Sequence, residues 1–243
     1  MRILVIIPAY NESAAIEKVV SDLLAAKKSF PFECDYVVIN DGSCDRTEHV
    51  IEDGNMNAIT LSVNLGIGGA VQTGYIYARQ LGYDAAVQLD GDGQHLPAYI
   101  PKLIEPLEKG EADLVIGSRF LGGSAFQSSS MRRCGIRFLS GVIRLITGRR
   151  IMDVTSGFRA VNKRGTELFA NDYAKDFPEP EGIVRALRNG LTLKEVPVEM
   201  AKRATGESSI GLLKSVYYMI KVTLTILLLG LERPDGKLKE ADK

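Results

Sequence analysis

Asp84-Ala85-Ala86-Val87-Gln88-Leu89-Asp90-Gly91-Asp92 is the stretch on which the reading of this chain turns. Its apolar run predicts a buried strand near 84–90, closed by two carboxylates one glycine apart. Side chains two apart on a strand share a face. The strand end would therefore bring Asp90 and Asp92 together in the crevice where α/β sheets bind ligands. Two like charges that close are unfavourable unless a cation or protons neutralise them. A hard divalent ion, Mg²⁺ or Mn²⁺, held by one or two carboxylates and completed by substrate phosphates, meets that need. Alone, the same residues also read as a solvated Asp-Gly turn, and the rest of the chain has to decide.

Working outward, apolar runs alternate with helix-period segments. Strands are predicted near 2–8, 35–40, 57–62, 84–90 and 112–118, and helices over about 13–28, 45–53, 67–82 and 97–109. This rhythm argues for an α/β fold with a mostly parallel sheet covered on both faces. Ser13, or alternatively Asn11, is placed to cap the first helix. After residue 118 the rhythm breaks into a Gly/Ser-rich stretch, Gly122-Gly123-Ser124 to Ser128-Ser129-Ser130. Its composition suits a mobile functional loop or a linker.

The chain has 243 residues, enough for one large α/β domain. Thirty Lys and Arg balance thirty Asp and Glu, which argues against bulk nucleic-acid binding. Locally the balance fails: residues 131–150 hold six arginines (Arg132, Arg133, Arg137, Arg144, Arg149, Arg150) and no acid. Cys34, Cys44 and Cys134 are odd in number and lack metal-ligand spacing, as expected of reduced structural thiols in a cytosolic protein. Met1-Arg2-Ile3-Leu4-Val5-Ile6-Ile7-Pro8 is too short an apolar run for a signal peptide and reads as the first buried strand.

The first strand ends in Pro8-Ala9-Tyr10-Asn11-Glu12 and the second in Asn40-Asp41-Gly42-Ser43. Each is ordinary turn chemistry by itself, but both emerge on the edge that carries Asp90 and Asp92. An Asp there can accept hydrogen bonds from a base edge, and Tyr10 can cover the ring. Asn64-Leu65-Gly66-Ile67-Gly68-Gly69-Ala70 opens the third helix. Its small residues suit either phosphate at the helix start or close packing. Two familiar motifs fail. The dinucleotide fingerprint would need glycine at Val71, and a calcium loop would need glycine at His95 and glutamate at Pro101. His95, one of two histidines, has no partnered serine and reads as a local hydrogen bonder.

Pro8-Ala9-Tyr10-Asn11-Glu12, Asp41-Gly42-Ser43, Asn-Leu-Gly-x-Gly-Gly-Ala, Asp90-Gly91-Asp92-Gly93-Gln94-His95, Gly117-Ser118-Arg119 and Asp153-Val154-Thr155-Ser156-Gly157-Phe158-Arg159 together resemble the family-2 inverting glycosyltransferases. The resemblance is to the branch of dolichol-phosphate mannosyltransferases and bacterial polyprenyl-phosphate sugar transferases, over roughly residues 2–209. It implies a GT-A fold (Rossmann-like), a nucleotide-diphosphate sugar donor and Mg²⁺ or Mn²⁺. It implies that Pro8, Ala9, Tyr10, Glu12, Asp41, Asn64, Gly69 and Asp90 bind donor, that Asp90, Asp92 and Gln94 lie at the metal, and that Arg119 and Arg203 meet phosphate groups. Asp92, Asp153, Arg119 and Arg203 are then the expected catalytic set. Gly93 departs from relatives that often carry a bulkier residue.

The domain expected is 1–209, followed by an apolar helix over 210–233 and a polar tail over 234–243. From Leu212 to Leu231 the chain is largely apolar, but Lys214 and Lys221 interrupt it. The uncharged stretch Val222–Leu231 is ten residues, short of the ~20 that span a bilayer. Segment 131–147 mixes arginines with Met131, Ile136, Phe138, Leu139, Val142, Ile143 and Ile146. Such a basic amphipathic helix suits an anionic membrane surface, or else a core with a solvated basic face. Two such helices predict a peripheral enzyme on the cytoplasmic face of the membrane, with a small membrane-protein partner as a further expectation.

The leading expectation is sugar transfer from a nucleotide donor, UDP-linked by resemblance around Phe177-Pro178-Glu179-Pro180-Glu181, to a polyprenyl (undecaprenyl or dolichyl) phosphate. The alternative acceptor is a hydroxyl of a cell-surface polysaccharide or other glycan, which requires a general base, with Asp153 the candidate by position. A nucleotidyltransferase is disfavoured because Pro8-Ala9-Tyr10-Asn11 stands where a Gly-rich loop and Arg would be. A non-catalytic binding module is disfavoured by the intact carboxylates.

Overall fold

Ile3, Leu4, Val5, Ile6 and Ile7 of β1 (Arg2–Ala9) are all fully buried. Successive side chains leave a strand on opposite faces, and both faces here meet helices. Ile3, Val5 and Ile7 join Leu23, Ile51 and Leu103 in one core, while Leu4 and Ile6 join Tyr75, Ile143, Phe169, Ile183 and Val222 in the other. Full burial of such a side chain contributes roughly 1.5–3 kcal/mol, so β1 anchors both layers.

The computed structural model describes residues 1–121, 130–201 and 212–231, with only the backbone for 130–132 and 212–218. The elements predicted to residue 118 are present: α1 (Ile16–Ala26), β2 (Glu33–Asn40), α2 (Thr47–Asp53), β3 (Ala58–Thr60), α3 (Gly66–Gln80), β4 (Ala85–Gln88), α4 (Ile100–Glu108) and β5 (Leu114–Ser118). In α4 the buried Ile100, Leu103, Ile104 and Leu107 fall at helical spacing and form the face that packs on the sheet. Beyond β5 come α5 (Ser130–Thr147), β6 (Arg159–Asn162), α6 (Lys163–Asn171), α7 (Pro178–Arg188), β7 (Leu193–Pro197) and α8 (Leu212–Leu231).

The seven strands run in the order β3-β2-β1-β4-β6-β5-β7. All pair parallel except β6, which is antiparallel to both β4 and β5. A mostly parallel sheet with helices on both faces is thus the architecture. Strands β6 and β7 and helices α6 and α7, which the sequence pattern did not reveal, complete it.

Three local expectations change. Helix α1 begins after Ala15 with no side-chain cap, so neither Ser13 nor Asn11 caps it. Asn11 instead adopts φ 57° and its Oδ1 accepts the backbone N–H groups of Cys44 and Asp45 at 2.8 and 3.3 Å. The Glu12 carbonyl accepts the first free N–H groups, from Ala15 and Ile16. Strand β4 ends at Gln88, so Asp90 and Asp92 stand on a turn beyond it. All three cysteines are unpaired, but only Cys34 is buried; Cys44 and Cys134 are exposed rather than structural. The Gly/Ser stretch 122–129, Arg203 and the tail lie outside the described residues.

Candidate active site

The carboxyl ends of β1, β2 and β4 and the start of α3 open onto one cleft of about 390 Å³. Pro8, Ala9, Tyr10 and Glu12 line it from β1, Asp41 from β2, and Asp90, Gly91 and Asp92 from β4. Asn64, Gly66, Ile67 and Ala70 close it from α3. Gly91 lets the β4 turn come in close: a Cβ there would lie 2.8 Å from the Pro8 carbonyl oxygen. Any larger residue would push the two carboxylates away from β1.

The loops around the cleft are stitched to each other. Ser43 Oγ accepts the Asn11 N–H at 3.0 Å, and Thr47 Oγ1 accepts the Glu12 N–H at 2.9 Å. Burial opposes ionisation of Asp45, but hydrogen bonds from Thr47 and Ser13 outweigh it and hold the carboxyl at about 2. Asp41 is 2 % exposed, and its Oδ1 accepts the Leu65 N–H at 2.7 Å. Among the described residues Oδ2 has no protein donor, so a carboxylate oxygen remains on the cleft wall. Asn64 Oδ1 takes the Gly66 N–H at 3.0 Å.

The glycines of the helix start differ in their surroundings. Gly66 faces the cleft, whereas Gly68 is buried where a Cβ would meet the Ala174 carbonyl at 2.0 Å. Gly69, expected at the donor, is also buried, against Leu65, and does not line the cleft, whereas Gly66 does.

Around Asp90 the polar contacts are dense. Gln88 Nε2 donates to Asp90 Oδ1 at 2.9 Å, and the Asp90 N–H donates to His95 Nδ1 at 3.0 Å. Asp92 Oδ1 accepts the backbone N–H of Gln94 at 3.0 Å, and Gln94 itself does not line the cleft. Among the described residues no group of three or more His, Cys, Asp or Glu side chains could hold a metal ion. Asp90 and Asp92 are hard oxygen donors that would need outside oxygens, such as those of a diphosphate, to complete a shell. That is the usual way Mg²⁺ is bound, so the residues fit such an ion.

Asp153 and Arg119 meet, but not as a base and a free cation. Arg119 donates to Asp153 from its backbone N, Nε and Nη2 at 3.0, 2.7 and 2.6 Å. Asp153 is fully buried, and its N–H donates to Glu195 Oε1 at 2.8 Å. A base must reach the proton it abstracts, and Asp153, the candidate by position, does not line the cleft but is bonded to Arg119. It anchors Arg119 instead.

Several site residues escaped the sequence reading. Gln88, a buried amide in an apolar strand, was the available signal beneath Asp90. Arg159 is fully buried and, among the described residues, donates to carbonyls, two bonds to Ser156 and one to Glu179. Glu179, in the first turn of α7, is raised above the ordinary glutamate pKa: burial raises it, Arg159 opposes, and the Asp90 charge adds. Nothing in the sequence singled out Glu195.

Comparison with known proteins follows the same lines. The model described as Glycosyl transferase family 2 matches residues 4–169. An undecaprenyl-phosphate mannosyltransferase of Micrococcus luteus is 32% identical over 220 residues, covering 87% of this chain and 88% of its own. A UDP-N-acetylglucosamine–dolichyl-phosphate N-acetylglucosaminyltransferase of Methanococcus voltae is 31% identical, with 81% and 84% covered. Glucosyl-3-phosphoglycerate synthase of Mycobacterium tuberculosis, solved with Mn²⁺ and UDP-glucose, superimposes with a TM-score of 0.71 at 23% identity, covering 97% of this chain and 80% of its own. That likeness establishes the GT-A-like fold. With a cleft built at the carboxyl edge of such a sheet and a family match over most of the catalytic segment, the chain belongs to glycosyltransferase family 2 and is a glycosyltransferase.

Proposed function

We propose that this enzyme transfers a sugar from a UDP-sugar to a polyprenyl phosphate at the cytoplasmic membrane surface, with inversion and with Mg²⁺ or Mn²⁺. The observation that carries the reading is the single cleft joining Asp41 to Asp90 and Asp92. We assign the base to the Asp41 end and the diphosphate to the Asp90 end of this cleft. The relatives' printed names, two of them transferases acting on undecaprenyl or dolichyl phosphate, support the acceptor.

The acceptor chemistry agrees with the closed state of Asp153. A phosphate monoester has a second pKa of about 6 and attacks the anomeric carbon as an anion without a protein base. A hydroxyl acceptor would need one, and Asp153 is instead bonded to Arg119 and does not line the cleft. A divalent ion held by Asp90 and Asp92 would neutralise charge on the departing diphosphate. Tyr10 covers the base, Asp41 accepts from it, and the stitched loops hold both in place before donor arrives, which lowers the cost of alignment. Arg203, outside the described residues, is the cation we assign to phosphate, while Arg119 stays paired with Asp153. Incubation with labelled UDP-sugars and a polyprenyl phosphate tests the reading; a chloroform-soluble sugar phosphate is expected, and a water-soluble glycan product would overturn it.

Asp41→Ala should weaken donor binding with a smaller effect on kcat at saturating donor. A contact to the base lies far from the reacting carbon and acts as uniform binding. Equal losses in kcat and kcat/KM at constant KM would contradict this assignment.

The membrane surface we assign to α5 and α8. Ile136, Leu139 and Ile143 of α5 and Val222, Ile226 and Leu229 of α8 are buried in one core. The outer face of α8 carries Ile220, Leu224, Leu227, Leu228 and Leu231, the last 84 % exposed, and α5 adds Phe138 and Leu145 beside exposed Arg133, Arg137 and Arg144. Among the described residues no helix is long and apolar enough to cross a membrane. An apolar stripe edged by arginines matches an anionic interface. Reversing Arg133 and Arg137 to Glu changes four charge units. At about 1 kcal/mol each, the partition to anionic vesicles should fall by roughly 4 kcal/mol at low salt. Co-sedimentation measures it, with transfer to long-chain and short water-soluble acceptors alongside; a mutant that sediments like the wild type sinks the surface.

A further inference from the structure

We propose that His95 is a positioning residue for the Asp90 carboxylate, acting through hydrogen-bond geometry and not as a base. The inference rests on the proposed metal–diphosphate role of Asp90.

A neutral imidazole has one donor and one acceptor nitrogen. Nδ1 receives the Asp90 N–H at 3.0 Å, so Nδ1 is the acceptor and Nε2 carries the proton. That Nε2 lies 3.5 Å from Asp90 Oδ2. Both ring nitrogens are therefore directed to one residue. Gln88 Nε2 holds the other oxygen, Oδ1, at 2.9 Å. Oδ1 is thus hydrogen-bonded to the Gln88 amide and Oδ2 lies beside the imidazole edge, while the ring itself holds the Asp90 backbone. Gly157 leaves the space this needs, since a Cβ there would sit 2.9 Å from Oδ2.

The ring itself is fixed. It is 4 % exposed and lies flat on Phe158, with centroids 4.8 Å apart and planes at 13°. It does not line the cleft, so it has no path to substrate. On its far side His95 pairs antiparallel with Met200, and the Ala201 N–H donates to the Gln94 carbonyl at 2.9 Å. The backbone at His95 therefore ties the carboxylate turn to the segment at Met200 and Ala201.

The test compares His95→Ala with His95→Asn, whose amide oxygen stands near the Nδ1 position and can accept the Asp90 N–H. UDP is titrated by calorimetry with and without Mn²⁺, and amide exchange is followed in the segment 89–96 of the ligand-free protein. Partners behind a metal ligand typically change metal affinity 10–100-fold. His95→Ala should weaken Mn²⁺-dependent UDP binding by about tenfold or more, leave metal-free UDP binding within about twofold, and speed exchange at Asp90; His95→Asn should restore most of both. A merely structural role would lower both kinds of UDP binding together with the melting temperature, without rescue by Asn. Wild-type exchange at Asp90 in His95→Ala would overturn the proposal. Wild-type UDP binding indifferent to Mn²⁺ would instead sink the metal reading, while the exchange measurement still decides the positioning role.

Discussion

Asp92→Asn should cut sugar transfer by on the order of 10²–10³-fold, the loss usual when one group stabilising developing charge is removed, and abolish the Mn²⁺ dependence of UDP binding. The fold should not suffer. Asparagine keeps an Oδ1 to accept the Gln94 N–H, now 3.0 Å from Asp92 Oδ1. It also removes one of two like charges on a single turn, which relieves repulsion in the metal-free protein. The melting temperature without metal should therefore be unchanged or slightly higher. Calorimetric titration of UDP with and without Mn²⁺, beside a thermal melt, makes the measurement. A mutant that retains wild-type metal dependence removes Asp92 from the site.

Asp153→Ala should cost about 3–5 kcal/mol of stability, because it strands the Arg119 guanidinium in the interior. The pair is closed: the side chains are 6 % and 0 % exposed, and Nη2 to Oδ1 is 2.6 Å. For a chain of this size each kcal/mol moves the midpoint by roughly 2–4 °C, so a fall of about 6–20 °C is expected. Arg119→Met combined with Asp153→Leu should be far less destabilising, since no unpaired charge remains buried. Denaturant titration of the two single variants and the double variant checks this by its coupling energy. Were Asp153→Asn fully stable but inactive, Asp153 would be a base after all and the hydroxyl-acceptor reading would revive.

Glu179 and Arg159 show why part of the site was hidden. Arg159 sits opposite Gln88 in the β4–β6 register, and its guanidinium bonds the Glu179 carbonyl 20 residues away. No local pattern encodes such a meeting. Asp153 and Arg119 are 34 residues apart, and only the packing of the β5 end against the loop before β6 closes their ion pair. Position suggested that Asp153 lay near the chemistry; only the packed layers show that its carboxylate is occupied by Arg119.

Periodicity by itself determined the α/β class, the elements up to β5 and the clustering of Tyr10, Asp41, Asp90 and Asp92 at one edge. That is because strand and helix periods are local properties of the chain, and successive parallel strands must end on the same side. Motif order determined the family for the same reason: the loops that carry it follow those strand ends. Tertiary structure alone decided the strand order, above all the insertion of antiparallel β6 between β4 and β5. A four-residue strand gains its stability from neighbours distant in sequence, not from its own pattern. It also decided which glycine faces the cleft, which cysteine is buried, and which partners His95 and Asp153 meet, since burial and hydrogen-bond partners exist only once the layers have packed.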